Sequence, residues 1–256
     1  NNVAVGYDAL TANTTGSSNT AIGFAALDAN TTAANNVAVG YGSLGANTTG
    51  TNLVALGYGT LTANTTTNNN VAVGTSALAV NTAANNTAVG YEALVANTTG
   101  TENVAVGMNS LDANTTGNYN TAIGTTALSA NTTASYNVAV GTSALLVSTT
   151  GQRNVAVGYQ AMDEATTGSD SVSVGYRAGH SVTTGIENTF VGYYAGGETT
   201  DVNYNNAFGS SALGSNTTGA QNVAMGRAAL YANTTASENT AVGHHSLYAN
   251  TTGANN

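Results

Sequence analysis

The tripeptide Asn-Thr-Thr recurs along this chain and matches the Asn-x-Ser/Thr pattern that accepts N-linked glycans. The asparagines that satisfy the pattern are Asn13, Asn30, Asn47, Asn64, Asn85, Asn97, Asn114, Asn131, Asn216, Asn233 and Asn250. This pattern predicts a chain coated with about one glycan per repeat. The same residues are typical of turns, because Asn adopts left-handed backbone conformations and Thr hydroxyls bond to turn amides. Where the asparagine is replaced, at Ser148, Ala165 and Val182, the threonine pair persists, so the threonines have a structural use of their own.

A second group of candidate residues lies within residues 159–208, where the repeat is least regular and acidic side chains gather. A receptor or carbohydrate could contact the chain there. The residues that would form this contact are Tyr176, Arg177, Tyr193 and Tyr194. The simpler interpretation, which we favour, is a drifted stretch in which leucine is lost, the core narrows and tyrosine fills the space.

Composition argues against most other chemistry. Only 6% of residues are charged, the net charge is −9, and the chain contains neither Lys nor Cys. Nucleic-acid binding needs clustered cations, and a phosphate-binding loop of the P-loop type needs a lysine. No paired carboxylates or nucleophile motif appears, so we expect no enzymatic activity and no cofactor. No apolar run approaches the roughly 20 residues of a membrane span.

Histidines are too few and too isolated to suggest a metal site. His180 stands alone, and His244 and His245 are adjacent. Adjacent side chains in a strand point to opposite faces, so we expect this pair not to chelate a metal ion.

These candidates sit on a repeat that becomes clear when it is anchored on one glycine. Every step between anchors is 17 residues except Gly74 to Gly90, which is 16. The anchors are Gly6, Gly23, Gly40, Gly57, Gly74, Gly90, Gly107, Gly124, Gly141, Gly158, Gly175, Gly192, Gly209, Gly226 and Gly243. Regularity over 15 copies favours a solenoid over several separate domains.

The repeat predicts an all-β fold, a parallel β-solenoid or β-roll of about 15 coils, each with two short strands and two turns. Val, Ile, Thr and Tyr favour strands, whereas Asn and Gly favour turns. In Val3-Ala4-Val5 the valines share one face and the alanine takes the other. We expect the valines, with Leu10, to cover the coil interior. The alanine column, broken only at Ser173 and Phe190, is then expected to need a second layer supplied by self-association.

Two further positions have structural interpretations. The anchor glycine predicts a corner with positive φ or no room for a Cβ. The asparagine four residues before it recurs in 13 copies and predicts a hydrogen-bonded ladder. We expect residues 1–256 to be a single continuous array and a window of a longer fibre, with residues 159–208 as irregular coils within it.

The segments NVAVGYDAL, NTAIGFAAL and NVAVGYGSL resemble the head repeats of trimeric autotransporter adhesins, the YadA-like heads, and related repeats of phage tail fibres. The resemblance covers the whole chain, although the family's typical repeat is shorter and lacks the extra turn around Asn-Thr-Thr. It implies a left-handed β-roll, association of three chains and a role in adhesion.

Together these observations predict a non-enzymatic, extracellular structural fibre segment that self-associates as a homo-oligomer, with three chains the expected number, or as a head-to-tail filament. Adhesion or display on a cell surface or virion is the expected use, with glycans or a host surface as further partners. The alternative is a self-assembling N-glycosylated filament whose glycan coat is the functional surface. A third reading is a solenoid that binds ice or carbohydrate.

Overall fold

The computed structural model describes residues 1–256 and shows an all-β parallel solenoid built from the 17-residue repeat, as the sequence predicts. Each repeat contributes one three-residue strand that ends immediately before an anchor glycine. The strands are β1 (Val3–Val5), β2 (Thr20–Ile22), β3 (Val37–Val39), β4 (Val54–Leu56), β5 (Val71–Val73), β6 (Thr87–Val89), β7 (Val104–Val106), β8 (Thr121–Ile123), β9 (Val138–Val140), β10 (Val155–Val157), β11 (Val172–Val174), β12 (Thr189–Val191), β13 (Asn206–Phe208), β14 (Val223–Met225) and β15 (Thr240–Val242).

The chain divides into two compact units, which share the same internal arrangement. The first unit comprises Asn1–Thr125 and Asn131–Thr133, and in it each strand from β1 to β8 pairs in parallel with the next. The second comprises Thr126–Ala130 and Ala134–Asn256, and β9 to β15 pair in the same way. Equivalent residues therefore stand in columns, one residue per coil.

The sequence prediction of two strands per coil is wrong, because the rest of each coil is a series of turns. Leucine four residues after the anchor has a positive φ, as at Leu44 (53°) and Leu145 (51°), and such a value interrupts a strand. The turn backbone still bonds from coil to coil: the Leu44 amide donates to the Thr60 carbonyl at 3.0 Å. Neighbouring coils thus satisfy one another's backbone groups without β conformation.

The interior is lined by the alanine of each strand and by the leucine of the following turn. Ala55 and Leu61 in the first unit, and Ala156 and Leu145 in the second, are fully buried. The flanking strand side chains, such as Val54 and Leu56, are only half-buried. The prediction that the valine face covers the interior is therefore wrong: alanine points inward and shares the interior with the leucine of the following turn.

The anchor glycine forms a corner, and both reasons predicted for it are confirmed. Gly107 has a φ of 137°, in the region that L side chains rarely adopt. A Cβ on Gly107 would lie 2.5 Å from the carbonyl oxygen of Gly124 in the next coil. The stacking of one coil on the next thus depends on close backbone approach at the anchors, as at Gly107.

The irregular coils fill the same interior with different side chains. Phe190 replaces the inward alanine of β12 and is fully buried. Leucine is replaced by Gly179 and Gly196, and a Cβ at these two positions would lie 2.9 and 2.5 Å from the Phe190 ring. Phe190, together with Ser173 Oγ at 2.6 Å from the Cβ position of Gly179, therefore occupies the volume that two leucines leave, and this exchange explains the loss of leucine at these two positions.

Candidate functional site

The most extensive candidate site is the outward side of the strands. We define the outer face as the side chains three and one residues before the anchor glycine and the one directly after it. The column directly before the anchor is apolar in all 15 coils: Val5, Ile22, Val39, Leu56, Val73, Val89, Val106, Ile123, Val140, Val157, Val174, Val191, Phe208, Met225 and Val242. Every member is at least partly exposed; Ile123 is 40% and Met225 45% exposed. A solvent-facing column without a charged or polar member is the usual mark of an interaction surface.

Aromatic rings extend the outer face on the far side of the anchor. In the first unit Tyr7, Phe24, Tyr41 and Tyr58 stack in succession, with centroids 5.0–5.4 Å apart and interplanar angles of 8–16°. All four are exposed. Because stacked rings cover one another's faces, a partner would contact their edges. The four rings thus add a continuous apolar strip to the outer face.

The asparagines of Asn-Thr-Thr form a buried column that we call the inner asparagine ladder. Asn114 Nδ2 donates to Asn97 Oδ1 at 2.7 Å and to the Gly117 carbonyl at 3.1 Å, while Asn131 Nδ2 donates to Asn114 Oδ1 at 2.7 Å. The fully buried members are Asn30, Asn47, Asn64, Asn97, Asn114, Asn131, Asn216 and Asn233. Satisfied amides of this kind hold the turn of each coil against the next.

This burial bears directly on the predicted N-glycans. A glycan is attached to Nδ2, and in the ladder that atom is enclosed and donates to the asparagine of the neighbouring coil and to a carbonyl of its own turn. The folded coil therefore has no room for a glycan at the eight buried positions. Asn13 and Asn250, which are half-exposed, and Asn85, which is exposed, are the acceptors with open surroundings.

The asparagines before each strand form the second ladder, as predicted, but mainly through the backbone. Asn36 Oδ1 accepts the Leu53 amide at 3.0 Å, and its Nδ2 donates to the Gly50 carbonyl at 2.8 Å. Direct amide-to-amide bonds also join members of the column near its end, where Asn222 donates to Asn205 at 3.2 Å. This column therefore ties each strand both to the next coil and to its turn.

The two threonines of the motif have different environments. The first donates its hydroxyl to the carbonyl of the first threonine in the next coil, as Thr48 does to Thr65 at 3.0 Å and Thr217 to Thr234 at 2.9 Å. The second, as at Thr49 and Thr218, is exposed, and its hydroxyl has no hydrogen-bond partner. Sequence reasoning treated the pair as one unit and missed this division.

The four candidate residues of the irregular coils lie side by side. Tyr176 stacks on Tyr193 with centroids 5.2 Å apart, and Tyr194 is tilted by 39° at 6.5 Å from Tyr193. Arg177 Nε donates to Gln160 Oε1 at 2.9 Å. The Tyr194 hydroxyl donates to the Glu198 carboxylate, and this bond, with partial burial and the carboxylate's charge, raises the pKa of Tyr194 to about 12.

The histidines do not lie as the sequence predicts. His244 and His245 belong to a turn, and their rings stack at 4.0 Å instead of pointing to opposite faces. Arg227 Nη1 lies 3.2 Å from His244 Nε2 and 3.4 Å from His245 Nε2. Partial desolvation, reinforced by His244 and Arg227, lowers the pKa of His245. Arg227 and His245 edge an open depression of about 310 Å³. No set of three or more His, Asp and Glu side chains is placed to hold a metal ion.

His180 has a separate environment. Its Nδ1 bonds to the Asp163 carboxylate, and its Nε2 lies 3.7 Å from Glu164 Oε1. The pair is largely buried, with exposed side-chain fractions of 15% for His180 and 7% for Asp163.

The chain contains no helix of the length and apolar character that crossing a membrane requires. Comparison with protein-family models gives no match, and neither the curated proteins nor the solved structures contain a significant match to this chain.

Proposed function

We propose that this chain is a non-enzymatic structural segment of an extracellular fibre that self-associates through the outer face, with adhesion or display as its use. The observation that carries the proposal is the half-exposed column before the anchor glycine, which is apolar in every coil. Fifteen copies that have diverged elsewhere keep it free of polar and charged residues. Contact with water does not favour apolar side chains at these positions, whereas burial against a partner does.

A second copy of the same chain is the partner that fits this face. Its side chains recur once per coil, at the inter-strand spacing of about 4.8 Å. A partner that packs along many coils must repeat with the same spacing, and another copy does so by construction. Packing like against like also suits the column directly before the anchor glycine, because that column has no charged member in a chain whose net charge is −9, so the contact brings no acidic side chain against another.

The number of chains follows from the resemblance to YadA-like heads and tail-fibre repeats. Those repeats share the Asn-x-Ala-x-Gly unit seen here, and their chains associate in threes. We therefore propose a trimer in which the outer faces of three copies are buried together. The extracellular location is proposed on the same resemblance.

We propose that adhesion occurs at the irregular coils of residues 159–208. Tyr176, Tyr193 and Tyr194 form a group of adjacent rings beside Arg177, and such aromatic and arginine side chains are frequent anchors of protein contacts. A surface of this kind can give a repetitive fibre one distinctive contact.

The test replaces outer-face residues with lysine and compares the result with lysines placed elsewhere in the same coils. Leu56→Lys, Val73→Lys and Met225→Lys, combined in one chain, place three charges on the outer face. The control combines Asn52→Lys, Asn69→Lys and Gln221→Lys, each four residues upstream, at exposed positions where another coil carries Arg153.

Sedimentation velocity over a range of concentrations gives the association state, and circular dichroism confirms that the fold is retained. We expect the wild-type chain and the control to form the same oligomer and the outer-face variant to be monomeric. A wild-type chain that stays monomeric at every concentration, or an outer-face variant that associates as the control does, contradicts the proposal.

A further inference from the structure

The second threonine of the Asn-Thr-Thr motif is kept along the chain without a structural reason. It occupies the position nine residues after the anchor glycine in 13 of the 15 coils: Thr15, Thr32, Thr49, Thr66, Thr99, Thr116, Thr133, Thr150, Thr167, Thr184, Thr218, Thr235 and Thr252. All are exposed. Thr184, which donates to Asp201 at 3.1 Å, is the one whose hydroxyl has a partner. The remaining hydroxyls point to no group of the protein.

The first threonine of the motif, by contrast, has a structural role that explains why it is kept. The first threonine is present in all 15 coils, and in most of them its hydroxyl bonds to the next coil, as Thr115 does to the Thr132 carbonyl at 3.0 Å. Its retention follows from that bond. Thr116, one residue later, donates no side-chain hydrogen bond and is exposed, so packing does not explain why it is kept.

Divergence at another exposed position shows that exposed residues of this chain are free to change. The residue twelve after the anchor is also in a turn and varies widely among the copies: Ser18, Asn35, Glu102, Tyr119, Arg153, Asp170 and Gln221 are examples. The second threonine changes only to Ala83, in the coil shortened by one residue, and to Asp201, in the irregular region. Valine or isoleucine would satisfy the same backbone, yet neither occurs. The hydroxyl is therefore what is retained.

We propose that the Oγ1 of these second threonines is the attachment point of an O-linked sugar. In the reaction a bond forms between Oγ1 and the anomeric carbon of a nucleotide-activated sugar. The bond from that carbon to the nucleoside diphosphate breaks, and the diphosphate leaves with the electron pair. The threonine proton passes to a base of the glycosyltransferase that performs the step.

The surroundings of the hydroxyl suit this modification. The residue that follows is small in these coils, as Gly50 is after Thr49 and Gly117 after Thr116, so no large side chain shields the acceptor. Successive acceptors are one coil apart, about 4.8 Å along the stack. Sugars on neighbouring coils therefore contact one another and form a continuous ridge. The proposal keeps a glycan at the Asn-Thr-Thr turn but places it on the exposed threonine instead of the buried asparagine.

The test is the mass of the full chain purified from the organism that encodes it, compared with the same chain made in a host without protein glycosylation. We expect increments of sugar mass in the native material. Fragmentation that preserves side-chain modifications is expected to place them on Thr49 and Thr116, and to leave Thr48, Thr115 and Asn114 bare.

Variants expressed in the native organism isolate the hydroxyl. Thr49→Val and Thr116→Val each lose one sugar increment, and Thr49→Ser keeps it. Thr11→Val, at an exposed threonine outside both the motif and the outer face, leaves the sugar mass unchanged. A native chain with the bare polypeptide mass, or sugars placed on the first threonine or the ladder asparagines, overturns the proposal. Because the readout is mass and not association, it stands or falls separately from self-association.

Discussion

The regular coils and the irregular coils of residues 159–208 build one interior in two ways. A regular coil combines an inward alanine with an inward leucine, as at Ala105 and Leu111, both fully buried. Around β12 a single Phe190 is combined with Gly179 and Gly196. The comparison teaches that the interior holds a fixed volume, which can be exchanged between columns and between adjacent coils, as protein cores generally tolerate when volume is conserved.

The same comparison concerns the backbone. Leucine after the anchor is held at a φ near +50°, which costs an L residue roughly 1–2 kcal/mol, and burial in the interior offsets this cost. Gly179 and Gly196 keep the same backbone, at 59° and 61°, without that strain. The stacked coil therefore determines the backbone conformation of the turn, and this conformation is the same whether the residue is leucine or glycine.

The largest expected effect comes from removing the ring that defines the irregular interior. Phe190→Ala empties space that no leucine fills, so we expect the free energy of unfolding in a urea titration to fall by about 3–5 kcal/mol. Phe208→Ala, in the next strand but on the outer face and 40% exposed, is the control and should cost far less in a monomer.

Restoring the regular pattern sharpens this test. Phe190→Ala combined with Ser173→Ala, Gly179→Leu and Gly196→Leu should recover most of the lost stability, because the leucines refill the same volume and Ser173→Ala removes the hydroxyl 2.6 Å from the Cβ position of Gly179. If this combined variant is no more stable than Phe190→Ala alone, the interpretation as a volume exchange is wrong.

The anchor corner is the feature that both kinds of coil share. Gly107→Ala and Gly175→Ala place a Cβ 2.5 and 2.3 Å from the next anchor's carbonyl oxygen, at φ values of 137° and 140°. We expect each to lower the free energy of unfolding by roughly 3 kcal/mol. Gly42→Ala, with no atom within 4 Å, should cost about 1 kcal/mol. A large difference between Gly107→Ala and Gly175→Ala would separate the two regions at the backbone as well.

The inner asparagine ladder is present in the regular coils and interrupted at Ser148, Ala165 and Val182. Asn114→Ala removes the buried hydrogen bonds that its side chain makes with Asn97, Gly117 and Asn131, so we expect a loss of about 1–3 kcal/mol in thermal or urea unfolding. The matched change Val182→Ala removes only methyl groups and should cost about 1 kcal/mol. Equal losses at the two positions would mean that the ladder adds no stability.

The smallest expected effect concerns charge, which gathers in the irregular region. Arg153 bonds to Asp170 at 2.5 and 2.8 Å and holds the pKa of that carboxyl below its usual value. The pair therefore stabilises the fold above the ordinary Asp pKa of about 3.9, and this contribution disappears as the pH falls through the lower folded value. Exposure keeps the effect small. Unfolding titrations at pH 7 and pH 3 should show a slightly smaller loss for Asp170→Asn than for the wild type, with Glu102→Gln as the control. Equal losses would remove any role for the pair.

Sequence reasoning identified the repeat, the strand before each anchor and the glycine corner, because all three follow from local backbone chemistry repeated many times. It failed on the direction of the strand. The alternation of side chains along a strand shows that Val3 and Val5 lie on the same face, but it does not show whether that face points into the coil. The residues that indicate the outward direction stand three positions before the anchor, where polar side chains such as Thr87 and Asn206 occur. The alanine column admits no polar residue larger than Ser173.

The single strand per coil was out of reach for a different reason. Leu44 and its counterparts have no intrinsic preference for a left-handed backbone, and only burial inside a stacked coil holds them there. The burial of Asn114 in the ladder likewise depends on the neighbouring coils. Both features arise from contacts 17 residues apart along the chain, which local propensity does not contain.

The pairing of each strand with the next at a fixed offset has an evolutionary consequence. When one repeat is duplicated or deleted as a whole unit, every side chain on either side stays in its column and every coil still meets an equivalent neighbour. Unequal recombination between the repeats of such a gene therefore changes the reach of the protein without changing its surface chemistry. The length of the protein can therefore change in steps of one coil.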